Sequence, residues 1–276
     1  MTPDDVRKIF WYLKRKTSHT AWARAAAAFG GFCSVAQRQV MEEPAPQSLF
    51  GPYDWKAKYA EISQMQLHFQ SGMERLSKGD RSAWLCDERG VMRDVLAFGS
   101  DWFSELIYGG QRGDHEYVGK YVDDMRAAIR QFDHAMMDVG YLQALRSDTP
   151  APEYWGELMA CVLNNELYPR HPEGGFPQKY YGSPLVFPHP LPEIPSATRL
   201  LEVSTGKPVA VDGIYAPQVS NGCMNYLLKD AIAPPLQEEG GTNRCVAWRL
   251  IWEDVRYRDG LIPDGERLYF MPQGAA

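Results

Sequence analysis

The chain has 276 residues, of which 45 % are hydrophobic and 23 % are charged, and its formal net charge is −6. This composition is typical of a globular protein with a hydrophobic core and excludes a largely disordered chain. The longest apolar run is far shorter than a membrane span, so we expect neither a transmembrane segment nor a membrane partner. No basic region followed by an apolar one stands at the N-terminus, so we expect no secretory signal and a cytoplasmic protein.

Acidic and basic residues are distributed unevenly. Residues 1–40 carry seven Lys or Arg against two Asp or Glu, whereas residues 41–170 carry 13 against 21. Nucleic-acid binders usually have a strong basic excess, which this chain lacks outside the cluster Lys14-Arg15-Lys16, so nucleic acid is not an expected partner. We interpret that cluster as a solvated helix end, because cations suit a helix C-terminus.

The first 168 residues predict an antiparallel bundle of amphipathic helices. The segment Thr2–Asp5 has the features of a helix start: a Thr N-cap, a Pro in the first turn, and acids near the positive end of the helix dipole. This first helix is predicted to end near Lys16. A second helix is predicted to reach about Glu43, and its adjacent Gly30 and Gly31 indicate a kink or a close helix contact.

Apolar residues then recur at spacings of three and four over longer stretches, which is the period of an amphipathic helix. The clearest stripe belongs to the third of these stretches, where charged residues of opposite sign lie off the apolar face. Short connections between such helices imply antiparallel neighbours. The helices predicted in this way span about residues 55–76, 80–108, 114–146 and 153–167.

Proline marks a change of organisation after residue 168. Of 20 prolines, 12 fall between Pro150 and Pro217, and proline interrupts helices and central strands. Residues 169–196 are therefore expected to form an extended proline-rich connector. From residue 197 the helical period is lost, and short runs between Gly turns predict a small β-rich module over residues 197–276 that packs on the helices. The predicted fold class is α+β.

Two parts of this β-rich module carry specific expectations. The runs Leu200–Val203 and Lys207–Val211 lie on either side of a Gly turn, which predicts a hairpin. The run Arg244–Trp252 is the strongest strand candidate. Trp248 and Trp252 are four residues apart, so both are expected to point to one face of the strand and to cover the helices.

Signals of catalysis are weak in this sequence. The glycine motifs of phosphate-binding loops and of nucleophile elbows are absent. His115-Glu116 begins like a zinc-protease motif, but Gly119 stands where the second His is required. His134 and Asp138 are one helical turn apart, which leaves an all-helical metal-dependent hydrolase as the alternative function. Ordinary ion pairs on a surface helix explain these residues better, so neither a metal nor another cofactor is predicted.

The five cysteines are scattered, and the nearest two, Cys223 and Cys245, are 22 residues apart. An odd number at such spacing argues against a disulfide framework and a structural zinc site. We interpret them as reduced, mostly buried thiols. Cys223 would act as a nucleophile only with a base nearby, and a small buried thiol is the preferred interpretation.

Several C-terminal strings are similar to a known family, the immunity protein 72 family. The helical part resembles the usual companion of that family, the immunity protein 71 family. These resemblances imply a bacterial polymorphic toxin system, such as type VI secretion, in which the protein binds and neutralises a cognate effector toxin without catalysis. The strings that carry the C-terminal resemblance are Gly213–Pro217, Asn221–Leu227, Ala233–Pro235, Trp248–Asp254 and Arg256-Tyr257.

The residues of these strings have a structural interpretation of their own. Gly213 and Gly222 suit backbone positions with positive φ, and the two tryptophans suit a strand face that covers helices. We therefore expect scaffold roles rather than direct toxin contact for this set. It comprises Gly213, Gly222, Cys223, Asn225, Tyr226, Trp248, Arg249 and Trp252.

The acidic excess of the helical part indicates where a toxin would bind. Toxins that act on nucleic acids have basic clefts, which an acidic helical face would enter as a substrate mimic. The alternative is a solvated face whose partners are Lys120, Arg126 and Arg130 on the same helix. The sequence is compatible with a homo-oligomer as well as with a monomer. The candidate toxin-binding residues are Asp114, Glu116, Asp123 and Asp124, with Tyr108 and Tyr117 as aromatic anchors.

Overall fold

Five α-helices precede a small antiparallel sheet in the part of the chain that is described, so the predicted α+β class is confirmed. The computed structural model describes residues 2–43, 54–85, 87–112, 119–139, 187–197, 199–220, 222–237 and 243–270. The helices are α1 (Pro3–Lys16), α2 (His19–Glu42), α3 (Trp55–Ser77), α4 (Val91–Arg112) and α5 (Val122–Val139). The helix expected at residues 153–167 and most of the connector expected at 169–196 lie outside the described residues.

The first helix begins where its capping residue predicts, and the second is capped by Ser18, one of two candidates, Ser18 and Thr20, that its sequence offers. Thr2 Oγ1 accepts a hydrogen bond from the Asp5 N–H at 3.2 Å, and the Asp5 carboxylate accepts one from the Thr2 N–H at 2.8 Å. At the start of α2, Ser18 Oγ accepts a hydrogen bond from the Ala21 N–H at 3.1 Å. These bonds satisfy backbone donors that a helix leaves free at its N-terminus. None of the five described helices is both long and apolar enough to cross a membrane.

The fourth helix starts later than its apolar period predicts. The stripe predicted a start near residue 80, but Ser82–Trp84 form a single 3-10 turn and α4 begins at Val91. Between them the chain folds back so closely that a Cβ at Gly90 would overlap the Leu85 carbonyl group. The turn is buried in the same core as α4, which explains why one apolar stripe spans both.

Helices α2 to α5 pack as an antiparallel bundle around aromatic side chains. Helix α2 contacts α3 and α5, and α4 closes the ring by contacting the same two helices. Phe29 of α2 lies at the centre, with its ring centroid 6.0 Å from that of Phe69 of α3 and 5.0 Å from that of Phe132 of α5. Gly99 allows α4 to approach this core, because a Cβ there would overlap the Phe132 ring.

Gly30 and Gly31 form no close helix contact, so that one of the two alternatives drawn from their pairing is wrong. Helix α2 continues through both glycines. A Cβ at Gly30 would meet only the Gln66 side-chain amide, at 3.7 Å, and a Cβ at Gly31 would meet nothing within 4 Å. The close approaches in the bundle lie instead at Gly72 of α3 and Gly99 of α4.

The β-rich module contains a four-stranded antiparallel sheet and a two-stranded ribbon. The strands are β1 (Glu202–Ser204), β2 (Gly213–Pro217), β3 (Asn225–Leu227), β4 (Leu236–Gln237), β5 (Asn243–Arg244) and β6 (Ala247–Glu253). The sheet has the order β1-β6-β2-β3, and β4 pairs with β5. The longest described strand, β6, begins within the run Arg244–Trp252 predicted as the best strand, extends one residue past it, and lies between β1 and β2.

The hairpin expected between residues 200 and 211 is wrong. Strand β1 pairs with β6, in a register that places Val203 opposite Trp248. Residues 207–211 instead contact a later segment, where the Val209 N–H donates to the Ala231 carbonyl at 2.9 Å. The predicted turn at Gly206 does form, since Gly206 has a φ of +81°. Turn chemistry is local, but the pairing partner is decided by which apolar faces are buried together.

A β-bulge separates the two tryptophans of β6. The pairing of β6 with β2 places Trp252 opposite Ile214, but the next residue of β2, Tyr215, lies opposite Leu250. Ile251 is therefore the extra residue of the bulge, and the alternation of side chains is reset at this point. When an extra residue is inserted in this way, two residues that are four positions apart no longer point to the same face of the strand.

As a result, Trp248 and Trp252 lie on opposite faces of the sheet, which corrects the expectation that both cover the helices. Trp248 is buried in a second apolar cluster on the face away from the helices, where its Nε1–H donates to the Pro234 carbonyl at 2.8 Å. Trp252 lies against α1, with its ring centroid 6.0 Å from that of Phe10. The Lys14 ammonium lies 5.0 Å from the Trp252 ring centroid.

Gly213 and Gly222 do not have positive φ, contrary to expectation; among the described glycines, those with positive φ are Gly79, Gly206 and Gly260. Both motif glycines are instead required by close approach. A Cβ at Gly213 would overlap the carbonyl oxygen of Trp252 on the neighbouring strand, and one at Gly222 would overlap the Pro217 ring. These two positions therefore need glycine because a side chain would not fit there, and not because the backbone conformation excludes other residues.

The sheet and the helices share one hydrophobic core. Trp22 of α2 stacks on Trp84 with ring centroids 5.2 Å apart, and Trp84 meets the Tyr226 ring of β3 edge-on at 6.3 Å. Ile214 and Tyr226 belong to the same buried cluster as the helix residues. One face of the sheet therefore contacts the helices through fully buried side chains.

Candidate functional site

Two polar side chains hold the start of α5 against the end of α2. The buried Gln39 of α2 accepts a hydrogen bond from the Tyr121 N–H at 2.9 Å. The Glu43 carboxylate accepts hydrogen bonds from Gln39 Nε2 at 3.1 Å and from the Lys120 N–H at 2.5 Å. A carboxylate here also suits the positive end of the α5 dipole. The first turn of α5 is thereby fixed beside the last turn of α2.

Asp123 and Asp124 lie in this first turn of α5 and point to solvent, with side-chain exposed fractions of 94 % and 57 %. Asp123 pairs with Arg126 of the same helix at 2.8 Å, as the solvated-face alternative expects. Asp124 pairs with Arg38 of α2 at 3.4 Å, a partner that helical spacing does not reveal. Each acid therefore has a cation beside it.

The charge pattern of the helix predicted Lys120 and Arg126 beside these acids, but no sequence pattern indicates the residues of α2 that complete their surroundings. Lys120 Nζ pairs with the Glu42 carboxylate at 2.6 Å, and the Tyr121 hydroxyl donates to the same carboxylate. The Arg38 guanidinium lies 4.9 Å from the Tyr121 ring centroid, and Met41, beside Glu42 in the chain, is 75 % exposed. We call the following set the α2–α5 surface: Arg38, Met41, Glu42, Lys120, Tyr121, Asp123 and Asp124.

The ion pair between Lys120 and Glu42 keeps both groups charged at neutral pH. Hydrogen bonds from Lys120 and from the Tyr121 hydroxyl lower the pKa of Glu42 below its ordinary value. Hydrogen bonds of Lys120 to the Glu42 carboxylate and to Tyr121 raise the pKa of Lys120 above its ordinary value. Because both side chains are exposed to solvent, screening by water keeps the contribution of this pair to stability small.

The other four predicted binding residues are not brought into this surface by the described structure. Asp114, Glu116 and Tyr117 lie in residues 113–118, outside the described residues. Tyr108 belongs to α4, but its side chain is likewise outside the description. Of the six predicted toxin-binding residues, Asp123 and Asp124 are therefore the two whose side chains lie in the described part of the structure.

The residues interpreted as scaffold differ in their burial. Asn225 and Tyr226 of β3 are buried, and the Tyr226 hydroxyl donates to the Asp254 carboxylate at 2.8 Å. Arg249 of β6 is exposed and forms a cross-strand ion pair with Glu202 of β1 at 3.1 Å. The set thus contains residues of the core and residues of the sheet surface.

The basic cluster at the end of α1 is buried, which corrects its interpretation as a solvated helix end. Arg15 and Lys16 are only 0 % and 1 % exposed. Arg15 pairs with Asp138 of α5 at 2.8 Å and donates from Nε to the Tyr269 carbonyl at 3.2 Å. Lys16 donates to the Tyr12 hydroxyl at 3.2 Å, and burial lowers the pKa of Lys16 to about 7. Partners far along the chain cover this helix end.

Arg256 connects the C-terminal segment to the junction of α1 and α2. Its guanidinium donates to the Lys14 carbonyl at 2.9 Å and to Thr17 Oγ1 at 2.8 Å. The same guanidinium pairs with Asp254 at 2.7 Å and with Glu266 at 3.4 Å. A helix leaves its last carbonyl groups without intrahelical donors, and Arg256 supplies a donor at the end of α1.

Asp254 remains ionised although it is fully buried. Burial raises its pKa, but the charges and hydrogen bonds of Arg256, Arg81 and Tyr226 outweigh burial and hold the pKa below the ordinary value. Arg81 lies 2.9 Å from the carboxylate and is itself 1 % exposed. A carboxylate held in this way stabilises the buried arginines and is unsuited to proton transfer near neutral pH.

The cysteine considered as a nucleophile is protonated at neutral pH. Burial raises the pKa of the Cys223 thiol to about 12, and its Sγ donates to the Met224 carbonyl at 3.5 Å. Cys33 is buried and Cys223 half-buried, whereas Cys245 is exposed. Among the described residues, no three His, Cys, Asp or Glu side chains form a group that could hold a metal ion. His115-Glu116 lies outside those residues.

Comparison with known families confirms the resemblance expected from the sequence. The profile described as Immunity protein 71 matches residues 2–160, and the profile described as Immunity protein 72 matches residues 235–270. The second match includes Trp248–Tyr257 but begins after the Gly222-Cys223-Met224 string. No curated protein and no solved structure matches the chain. Because the first profile covers more than half of the chain, the protein belongs to the immunity protein 71 family.

Proposed function

We propose that this protein is a cytoplasmic immunity protein that binds and neutralises a cognate antibacterial toxin of a type VI or another polymorphic toxin system. The observation that carries this proposal is the match of the immunity protein 71 profile to residues 2–160, joined by the immunity protein 72 match at residues 235–270. The partner is one toxin, bound through an interface of about 800 Å² on each side.

Neutralisation occurs by binding, without catalysis. The groups that the alternative hydrolase would use have structural roles that are incompatible with catalysis. The Asp138 carboxylate forms a buried ion pair with Arg15 at 2.8 Å, and the Cys223 thiol has a pKa raised to about 12 by burial. A carboxylate tied to a buried guanidinium, and a thiol that stays protonated, support a binding function over a reaction.

The α2–α5 surface is the proposed contact with the toxin. Its three carboxylates, Glu42, Asp123 and Asp124, are held within 3.4 Å by cations, of which Lys120 and Arg38 are exposed and Arg126 is half-buried. Water screens ion pairs of this kind and keeps their contribution to stability small, so a lysine or arginine of a toxin can replace the present partner at little energetic cost. The acids would then face a basic cleft of the toxin, and opposite charge would speed association.

Tyr121 and Met41 are the proposed anchors of that contact. Tyr121 lies between the Arg38 guanidinium and the Glu42 carboxylate, so its ring is presented in a fixed orientation. Met41 exposes 75 % of its surface beside these charges. Tyrosine and arginine are enriched among residues that dominate binding energy, and an exposed methionine adapts to an apolar partner surface. Tyr108, Asp114, Glu116 and Tyr117 remain proposed members of the same site.

Co-expression with the toxin encoded beside this gene tests the proposal. Bacteria that produce the toxin should survive when this chain is present and die when it is absent. Replacement of any single His or Cys by Ala should leave protection unchanged, because a binding protein does not depend on one catalytic side chain. Death of the cells in spite of this chain would contradict the proposal, and loss of protection through one such replacement would favour the hydrolase.

Charge reversal tests the proposed surface. The double variant Asp123→Lys and Asp124→Lys should weaken toxin affinity strongly at low salt and less at high salt, because screening reduces the charge term. A matched control is Glu88→Lys with Asp94→Lys, which makes the same change in net charge at exposed residues near the start of α4. An unchanged dissociation constant of the first variant at low salt would remove this surface from consideration.

A further inference from the structure

We propose that the groove beside the free edge of β1 binds an extended segment of the toxin, which adds to the sheet as a further strand. This inference rests on the proposed function, since it names a second contact of the same partner. Strand β1 is at one end of the order β1-β6-β2-β3, so its other edge has no strand partner among the residues that the structure describes. A strand edge with free backbone groups is a template for another extended chain.

The hydrogen bonds of β1 show which backbone groups face away from β6. The Leu201 carbonyl accepts from the Leu250 N–H at 2.9 Å, and the Thr205 N–H donates to the Val246 carbonyl at 2.9 Å. Residues 201, 203 and 205 therefore direct their backbone groups to β6. Backbone groups alternate along a strand, so the N–H and carbonyl of Glu202 face the opposite, unpaired edge.

A groove of about 310 Å³ borders this strand. Leu201, Val203 and Tyr215 supply its apolar part; Tyr215 belongs to the second apolar cluster of the sheet, and Leu201 and Val203 pack against that cluster. Lys207 and Ser204 supply polar groups at the same groove. An occupant of this groove must therefore offer backbone hydrogen bonds to the strand edge, an apolar side chain to the recess and a negative charge to Lys207.

The occupant is an extended polypeptide with alternating properties. Its backbone would bond to the N–H and carbonyl of Glu202, and one apolar side chain would enter the recess at Val203 and Tyr215. A carboxylate of the same segment would face Lys207, which is exposed and forms no ion pair with a described carboxylate. Glu202 itself is already paired with Arg249 at 3.1 Å, so the net charge open to the partner here is positive.

A proline at residue 202 separates strand addition from side-chain contact. Glu202→Pro removes the outward N–H, which β6 does not use, and edge strands tolerate proline at such positions. The matched control Glu202→Ala removes the same side chain and keeps the N–H. Affinity for the purified toxin should fall about tenfold in Glu202→Pro relative to Glu202→Ala, since one lost hydrogen bond and a blocked strand edge correspond to that factor.

A charge reversal provides the second test and does not depend on the proline variant folding. Lys207→Glu should weaken toxin binding about fivefold or more at low salt, whereas Lys78→Glu, on an exposed lysine of the helical bundle, should not. Circular dichroism establishes that each variant is folded. If Glu202→Pro is folded, the inference is judged by the toxin affinity of Glu202→Pro relative to that of Glu202→Ala. If Glu202→Pro is not folded, it is judged by the toxin affinity of Lys207→Glu relative to that of Lys78→Glu.

The outcomes distinguish this inference from the proposed function. If the unaltered chain does not bind the toxin, both fail. If it binds and the two Glu202 variants bind equally well, strand addition at β1 is overturned while the immunity function stands. If Glu202→Pro changes the oligomeric state of the chain measured by light scattering and leaves toxin affinity unchanged, the edge joins two copies of this protein, which also overturns the inference.

Discussion

Arg256 lies 242 residues after Lys14 in the chain, yet its guanidinium donates a hydrogen bond of 2.9 Å to the Lys14 carbonyl. Lys14 lies within the immunity protein 71 match and Arg256 within the immunity protein 72 match. The same guanidinium also reaches Asp254 and Glu266, which are 0 % and 2 % exposed in their side chains. A buried charged contact thus joins the two segments that the family profiles recognise.

Loss of this arginine should destabilise the fold. Arg256→Met leaves Asp254 and Glu266 buried with fewer cations and leaves the end of α1 without its donor, so the free energy of unfolding should fall by about 3 kcal/mol. Arg258→Met is the control, since Arg258 is 57 % exposed and, among the described residues, forms its ion pair with Glu253; its effect should stay within about 1 kcal/mol. Urea unfolding followed by tryptophan fluorescence measures both. Equal effects of the two variants would contradict a structural role for the buried contact.

Lys16 should make stability rise with pH above neutrality. Burial lowers its folded-state pKa to about 7 from an ordinary 10.5. Between these values the unfolded chain carries a proton on Lys16 that the folded chain lacks, so unfolding takes up a proton and becomes less favourable as pH rises. Tyr12, Arg15 and Asp138 face this lysine.

The matched variant for this effect is Lys16→Met, which removes the titrating group and keeps an apolar stem. The free energy of unfolding of the unaltered chain, minus that of the variant, should rise by a few kcal/mol from about pH 7 to about pH 10 and be level below about pH 6. Urea unfolding at a series of pH values gives this difference. Parallel stability curves for the two proteins would show that Lys16 keeps an ordinary pKa.

Two glycines in the bundle should respond to alanine in opposite directions. Gly31→Ala should raise the free energy of unfolding by about 0.5–1 kcal/mol, because a helix interior favours Ala and a Cβ at Gly31 meets nothing within 4 Å. Gly99→Ala should lower it by about 1–3 kcal/mol, because its Cβ would overlap the Phe132 ring. Thermal unfolding compares the two. A destabilising Gly31→Ala would mean that α2 needs glycine at this place.

The thiols should differ in reactivity as their surroundings differ. Cys245 is exposed, whereas burial raises the pKa of Cys33 and of Cys223 to about 12. Iodoacetamide at about pH 8 should therefore modify Cys245 about 100-fold faster than the other two, because the thiolate is the reactive form. Peptide mapping by mass spectrometry follows each site, with the denatured chain as the reference. Rapid modification of Cys223 would revive its interpretation as a nucleophile.

Local patterns in the sequence predict the parts of the fold that local forces decide. The capping box of Thr2 and Asp5 is formed within one helical turn, so its residues alone reveal it. The apolar period of α5 likewise predicts that Asp123 lies off the buried stripe, and its side chain is 94 % exposed. These features depend on residues that are close in the chain, and both predictions are confirmed.

Features decided by distant residues are missed or predicted wrongly. Lys14-Arg15-Lys16 has the composition of a solvated helix end, and its burial depends on Asp138, Tyr269 and Arg256 much later in the chain. Spacing alone places Trp248 and Trp252 on one face, because a bulge at Ile251 leaves no sign in the spacing of side chains. The pair Lys120 and Glu42, central to the proposed surface, joins two helices that no periodicity connects.

The measurement that tests the central claim most directly is native mass spectrometry of the toxin mixed with this protein at increasing molar ratios. If neutralisation occurs by binding alone, a complex of defined stoichiometry should accumulate until the toxin is saturated. The mass of the toxin released from that complex should be unchanged. A toxin that is chemically altered by substoichiometric amounts of this chain, or one that is neutralised in cells without forming any complex, would contradict the account.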